Sequence, residues 1–415
     1  MGCRPGARLL TPALWGFATA GRIIFGRGAI DSLGDVAATF GRRIALCTDK
    51  PLVEAGVVAR AEAALRARGL DVCIFDGGEP EVSRTVVERC ADWATEVRPD
   101  CLVGLGGGSN MDLAKATALL LSHGGPIDQY YGEARVPGPV LPVIAVPTTA
   151  GTGSEVTPVA VLADENAALK VGVSSHHLLP RWAILDPLLT VSCPRRVTAY
   201  SGMDALSHAI EALVAVSYSD IPSDDLGRVF AGNNPVSEPL AIRAIELIGA
   251  NLRRAYDDGA DLDAREAMLL GSLLAGMAFA NAGTGIVHAL QYPIGAQTKT
   301  AHGLGNALLL PAAMRFNMEV RAREFSRIAV ALGCGGTPVA AVRAVRALAD
   351  DLDIPANLQA IGVEEADMPA MAAQAIGIER LIRLNPRPVT VADLDAILRD
   401  AWRGAPINPA ATTLP

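Results

Sequence analysis

"DCLVGLGGGSNMDLAKATALLL", residues 100–121, decides the fold. It starts as a short apolar run bounded by polar residues, the mark of a buried strand. The run enters a turn at Gly106, Gly107 and Gly108, and a helix is predicted to open at Met111. Consecutive glycines let the backbone turn tightly and approach a ligand. Free amide groups at a helix start can hold a phosphate, and Ser109 adds a hydroxyl donor. The pattern is neither the GxGxxG fingerprint nor a Walker sequence, and a tight turn without a ligand would use the same residues.

Outward from this stretch the pattern repeats. "RRIALCTDK" at 42–50 and "DVCIFDGG" at 71–78 read as strands, followed by helical patterns over 51–68 and up to about 97. "PVIAVPTTAGTGS" is a fourth strand ending in a glycine-rich loop. Strands alternating with helices predict a parallel sheet covered on both faces, with ligands beyond the carboxyl ends of the strands. The second loop gathers Thr148, Thr149, Thr152, Ser154 and Thr157, a polar set suited to a nucleotide or a cleft wall, or to an ordinary loop. Asp49 ends the strand "IALCT". There it is placed to accept from a ribose and repel a 2'-phosphate, favouring NAD over NADP, or simply to cap a helix.

From about residue 193 strand patterns stop and amphipathic helices take over, at 199–215, 238–255, 264–290 and 319–333. A polar stretch at 217–235 interrupts them as a loop or short insertion. The expected organisation is an α/β domain over 1–192 and an all-helical domain over 193–415, since 415 residues exceed one ordinary core. The net charge of −8, with no basic block, argues against nucleic acid. Seven cysteines without a CxxC pair suit a reducing cytoplasm, most of them buried. The first twenty residues lack a clean apolar run ending in a small-residue cleavage site, and "ALLLPAAM" is too short to span a bilayer, so no membrane partner is expected.

"SGMDALSHAIEAL" at 201–213 carries the chemistry. Asp204 and His208 are four residues apart and share a helix face, flanked by Met203, Leu206 and Ile210. A buried carboxylate needs a cation or strong donors. His288, late in the 264–290 helical stretch, and His302, at a helix start, complete a plausible set of four. One carboxylate and three imidazoles suit Fe(II) or Zn(II) rather than Ca(II) or Mg(II). The Asp204–His208 spacing equally fits a core histidine bonded to an aspartate.

"GGGSNMDLAK", "PTTAGTGSEVT", "GMDALSHAIE", "NAGTGIVHALQYPIG", "AHGLGNALLLP" and "NPRP" together resemble the iron-containing (group III) alcohol dehydrogenase family over about residues 17–402. The resemblance implies an α/β nucleotide-binding domain and an all-helical metal-binding domain, a dehydroquinate synthase-like architecture with a cleft between them. It implies hydride transfer between a small alcohol or aldehyde and NAD(H) or NADP(H). Its metal ligands fall on Asp204, His208, His288 and His302. Its pyrophosphate loop falls on Gly106, Gly107, Gly108 and Ser109, with Asp112 in the same motif, and its nicotinamide-side threonines fall on Thr148 and Thr149. Ser154 joins this cofactor set, and Lys170 falls where a lysine often sits near the ribose.

One departure stands out. Where many members have a second histidine four residues after the third ligand, this chain has Tyr292, a poorer base than imidazole at neutral pH and the candidate catalytic residue. The 217–235 stretch resembles the hydroxyacid–oxoacid transhydrogenase branch. A maleylacetate-reductase-like enzyme is a further alternative; a dehydroquinate-synthase-like lyase or a non-catalytic relative fits less well. Few lysines or arginines accompany the motifs, which favours a neutral substrate. A homodimer or larger homo-oligomer follows from the prevalence of cyclic symmetry.

Overall fold

The computed structural model describes residues 14–164, 170–221 and 228–404. Among the described residues nine strands lie in the first half: β1 (Arg22–Phe25), β2 (Arg43–Cys47), β3 (Asp71–Phe75), β4 (Cys101–Gly106), β5 (Gly132–Glu133), β6 (Val143–Pro147), β7 (Val159–Ala163), β8 (Lys170–Ser174) and β9 (Trp182–Leu185). Six form one parallel sheet in the order β1-β9-β6-β4-β2-β3.

Both faces of this sheet are covered. Ala45, Cys47 and Leu102 pack on one side with Leu113 and Leu119; Ile44, Leu46, Val103 and Leu105 pack on the other with Ile30, Leu33 and Leu65. The split follows the two-residue period of a strand. The continuous apolar runs of β4 and β6 are what a strand buried on both faces requires. β2 pairs with β3 on one side and β4 on the other, so the chain reverses its winding there and leaves a crevice beyond the carboxyl ends of β2 and β4.

Several expectations need correction. The 51–68 helix is two helices, Lys50–Glu54 and Val57–Arg66, divided at Gly56, whose φ of 75° a helix interior cannot hold. The helix expected to open at Met111 begins at Gly108. The edge strand β1, its neighbour β9 and the small β5-β8-β7 sheet carry no clear period in sequence, being two to five residues long. Of the six described cysteines, all free, Cys47, Cys90 and Cys101 are buried, while Cys73, Cys193 and Cys334 are half-buried. Cys3 and the first thirteen residues of the N-terminal stretch lie outside the described residues.

The second half is helical. Helices Arg195–Val214, Ser237–Asp257 and Leu262–Ala282 pack together so closely that a Cβ on Gly202 would stand 2.3 Å from Leu252 Cδ1. The 264–290 helix is also two elements. Leu262–Ala282 ends at Gly283, with φ of 87°, and the chain bends by 103° into helix Ile286–Thr298. His288 therefore sits in the first turn of a new helix and not late in a long one. Helix His302–Asn317 follows, and the 319–333 pattern is realised as Ala322–Ala331. Of the polar 217–235 stretch, residues 222–227 lie outside those described; its ends are tied where Ser217 bridges Asn233. Among the described residues no single helix is long and apolar enough to cross a membrane.

The halves meet where the loop after β6 crosses helix Leu262–Ala282. A Cβ on Gly153 would lie 2.5 Å from Gly276 Cα, so only glycine permits this backbone-to-backbone approach. It sets the threonine-rich loop directly against the helical half.

Candidate metal and nucleotide site

Helix Arg195–Val214 is buried along most of its length and presents Asp204 and His208 one turn apart. His288 comes from the first turn of Ile286–Thr298, and His302 is the first residue of His302–Asn317. The Nε2 atoms of His208, His288 and His302 lie 3.9, 3.7 and 3.8 Å from one oxygen, Asp204 Oδ1. These separations are too long for hydrogen bonds. They suit a single cation bound at about 2 Å from each donor. Asp204, His208 and His288 offer ligand atoms within 4.8 Å of one another, while His302 stands slightly outside that group and joins it through Asp204.

Three residues absent from the sequence reading complete the cluster. Glu211 Oε2 pairs with His288 Nδ1, and its Oε1 accepts from the Val287 amide at 2.8 Å. Gln291 Oε1 is 2.5 Å from His302 Nδ1. A carboxylate or amide oxygen only accepts, so each Nδ1 carries the hydrogen and each Nε2 keeps its lone pair for the centre. Asn306 Nδ2 donates to Asp204 Oδ1 at 2.7 Å and lies 3.2 Å from both His288 Nε2 and His302 Nε2, while its buried Oδ1 has no partner. A weakly positive amide facing three acceptors, with its own acceptor orphaned, marks a place built for a cation. The sequence held a signal for these: Glu211 is three residues after His208, Gln291 three after His288, and Asn306 four after His302, each on its ligand's helix face.

The electrostatics keep two of the three rings neutral. Burial lowers His208 to about 4 against the pull of Asp204, and lowers His302 well below its ordinary value. Both rings are therefore neutral near pH 7. Burial lowers His288, but Glu211 and Asp204 outweigh it and raise the ring to about 10, so without metal its Nε2 also holds a proton that a bound cation would displace. Asp204 stays below the usual carboxylate range: burial opposes its ionisation, but the three imidazoles overcome that.

The glycine turn leads into the same space. A Cβ on Gly108 would clash with Thr152 at 2.7 Å, and one on Gly106, with φ of 143°, would lie 2.2 Å from Asn110 Nδ2. At Gly107, by contrast, a Cβ would make only ordinary contact, with Thr149 Oγ1 at 3.6 Å. Gly107 caps helix Gly108–His123, so Gly108 and Ser109 on the cavity wall lie at the positive end of a sixteen-residue helix. Thr148 fixes the neighbouring loop by donating its amide to Gly106 O at 2.9 Å.

Other expected cofactor residues are placed differently from one another. Asp49 caps Lys50–Glu54, accepting from the Leu52 amide at 3.0 Å and from Asn110 Nδ2 at 2.7 Å, at the mouth of the β2–β4 crevice. Asp112 accepts from Ser154 Oγ at 2.6 Å and from the Val161 amide at 2.9 Å. Beneath them Lys115, fully buried, donates to Ser154 O at 2.6 Å and Val159 O at 2.8 Å. Asp112, Ser154 and Lys115 thus lock the loop to the helix. Ser109 Oγ accepts from the Glu81 amide at 3.0 Å, and Lys170 pairs with Glu81 at 2.6 Å on the cavity rim.

One cavity joins the two ends. Gly108, Ser109, Thr152 and Lys170 line it on one side; Asp204, His208, His288 and His302 line it on the other. Tyr292 lies between them, its ring 6.2 Å from that of His302 and its hydroxyl accepting from Arg380 Nη2 at 2.7 Å. Arg380 also lines the cavity, correcting the expectation that basic side chains are scarce there. It comes from the remote helix Glu379–Ile382, so no local pattern announced it.

Residues 20–187 match the family model for iron-containing alcohol dehydrogenase, and residues 198–402 match that for the Fe-containing alcohol dehydrogenase family, C-terminal. The chain is 37% identical to the NAD-dependent methanol dehydrogenase of Bacillus methanolicus over 91% of this chain and 97% of that one. It superposes on the crystal structure of a 1,3-propanediol oxidoreductase with a TM-score of 0.87 at 36% identity, covering 94% of this chain and all of the other. The sulfoacetaldehyde reductase of Bifidobacterium kashiwanohense, solved in complex with NAD+, gives a TM-score of 0.80 at 29% identity over 93% and 98% of the two chains. With Asp204 and three imidazoles gathered at one end of a cavity and a glycine-lined helix start at the other, the chain belongs to the iron-containing alcohol dehydrogenase family and is an NAD-linked alcohol dehydrogenase or aldehyde reductase that uses a divalent metal.

Proposed function

We propose that this chain transfers hydride reversibly between a small alcohol and the nicotinamide of NAD, with Asp204, His208, His288 and His302 as the metal ligands. The observation that carries this reading is the single cavity with the helix start at one end and the cluster at the other. The divalent ion, when bound, supplies Lewis acidity toward a substrate oxygen. The protein's own residues do the rest. Glu211 and Gln291 hold two imidazoles in the tautomer that presents Nε2. Gly107, Gly108 and Ser109 receive the pyrophosphate at the helix start, with Gly106 making the turn. Thr148, Thr149 and Ser154 shape the nicotinamide side, anchored by Asp112, and Lys170 lies toward the ribose.

Asp49 supports NAD over NADP, because a second negative charge at the β2–β4 crevice would meet its carboxylate. The Tyr292 hydroxyl accepts from Arg380 and so retains its own hydrogen for a substrate oxygen. That makes it a donor where a histidine would act as a base.

The names of relatives point to different substrates — methanol, 1,3-propanediol, sulfoacetaldehyde — so family membership leaves the substrate open. A division of the chain at residues 192/193 is supported by the last strand ending at Leu185 and the helices starting at Arg195. A cytoplasmic location is supported by six free cysteines, and a homo-oligomer by general symmetry preferences.

The test is a panel of alcohols and aldehydes with NAD and NADP, on protein loaded separately with Fe(II) and Zn(II). Metal-dependent turnover that prefers NAD is expected. Strong NADP preference would remove the role given to Asp49, and unchanged metal content after His288→Ala would remove the ligand set.

A further inference from the structure

We infer that the substrate carries an anionic oxygen group, a carboxylate or sulfonate, at the end remote from its reacting carbon, and that Arg380 binds that group. The inference rests on the dehydrogenase reading above and specifies its substrate class.

Arg380 lines the same cavity as the metal cluster. Its Nη2 donates to the Tyr292 hydroxyl at 2.7 Å, and its Cζ lies 5.7 Å from the Tyr292 ring centre. A Cβ on Gly172 would stand 3.3 Å from Nη2, so the bare glycine of β8 makes room for the guanidinium. These contacts fix the side chain and neutralise none of its charge. Among the described residues no carboxylate lies within ion-pairing distance of Arg380. The other cation on the cavity wall, Lys170, is already paired with Glu81 at 2.6 Å. The near neighbour of Arg380 in sequence, Arg383, is matched with Glu133 at 2.8 Å. An arginine held in place, facing a binding cavity and left unmatched is a preformed oxyanion receptor, because its planar fork suits two oxygens at once.

The rest of the wall sets the shape of the molecule between the two ends. Phe230, Phe279, Leu381 and Leu384 are apolar, which suits a short hydrocarbon link. The reacting oxygen would lie at the cluster and the anion at Arg380, separated by about the width of Tyr292. A short ω-oxo acid or its ω-hydroxy counterpart meets all three conditions. Reduction needs only the NADH and the proton that the established reaction already uses, and the anion is unchanged by it.

The experiment compares succinic semialdehyde, 3-sulfopropanal and butanal on the metal-loaded wild type, Arg380→Met and Arg380→Lys. Wild-type kcat/KM is expected to favour the anionic aldehydes over butanal by roughly 10- to 100-fold, the range for a hydrogen bond to a charged group. Arg380→Met should lose at least tenfold more on the anions than on butanal, mainly in KM, and Arg380→Lys should restore part of that difference. Binding of unreactive butyrate and propanesulfonate to metal-free protein, read by calorimetry, should weaken at least tenfold in Arg380→Met. The relative response of the carboxylate and the sulfonate tells which anion is preferred. An equal fall on butanal and the anions would show that Arg380 only positions Tyr292, and would overturn the inference. So would a wild type that turns over butanal best, with the dehydrogenase reading intact. Turnover of none of the three aldehydes would remove both.

Discussion

Replacing Glu211 by glutamine tests how the cluster is organised. The carboxylate does two things: its Oε1 accepts from the Val287 amide at 2.8 Å, and its Oε2 pairs with His288 Nδ1. Glutamine has the same size and can keep the first bond through its oxygen. Its NH2 then faces Nδ1 and can only donate, so the imidazole must move its hydrogen to Nε2, the atom turned toward Asp204. Loss of such an outer partner typically weakens metal binding 10- to 100-fold, or about 1.4 to 2.7 kcal/mol. At a free metal concentration a hundred times the wild-type Kd, bound metal stabilises the wild type by about 2.7 kcal/mol; for a variant weakened a hundredfold that term drops to about 0.4 kcal/mol. The assay is a chelator-competition titration with Zn(II), joined to denaturant melts with and without metal. The metal-free melts should show a separate loss from the broken Glu211–His288 charge pair, and the metal-dependent increment between paired melts isolates the binding term. A variant that binds Zn(II) within twofold of the wild type, in protein where His288→Ala does not, would refute the tautomer reasoning.

Further outcomes follow from the scaffold. Glu155 is 1% exposed, and burial raises its carboxyl from 4.5 to about 7, so the folded state holds the proton more tightly than the unfolded state. That contribution is complete below pH 4.5 and lost as the pH rises to 7, so between pH 4 and 8 Glu155→Gln should gain about 3 kcal/mol relative to wild type in paired denaturant melts. Gly303→Ala would put a methyl 2.1 Å from Tyr200 O and 3.2 Å from Asp204 Cβ, pushing His302 away from its partner; metal content by elemental analysis should fall sharply while far-UV circular dichroism is retained. Phe325, fully buried in the helical core, should cost about 3 to 5 kcal/mol when replaced by alanine, read as a shift in the urea midpoint.

What the sequence showed follows from how local each feature is. β4 and the glycine turn were legible because one uninterrupted stretch contains the strand, the turn and the helix start. The breaks at Gly56 and Gly283 were not, since an amphipathic pattern runs through a glycine whether the backbone continues or turns at φ near 80°. The same blind spot misplaced His288, whose apolar neighbours look alike in the middle of a helix and at its start. The edge strand β1 failed for another reason: it is only four residues long and partly exposed, too short to establish a period. Asp49 was assigned two alternative roles, and its carboxylate is engaged as a cap and by Asn110 at the place where the cofactor role would also put it.

The three parts of the cavity are built from different materials, and this separates what can change in evolution. The nucleotide end is mostly backbone: two glycines barred from carrying a side chain, and a helix terminus. The metal end is made of rare residue types, three of the chain's six histidines with one aspartate, drawn from three helices whose starts fix their directions. The substrate end depends on Arg380, which meets Tyr292 across 88 residues of chain. Helix Glu379–Ile382 is short and contributes no ligand to the cluster. Substitutions there can alter the charge presented to the substrate while leaving Asp204, the imidazoles and the glycine turn in place. Exchanging Arg380 should therefore move substrate preference with little effect on metal affinity, whereas neutralising Glu211 should do the reverse.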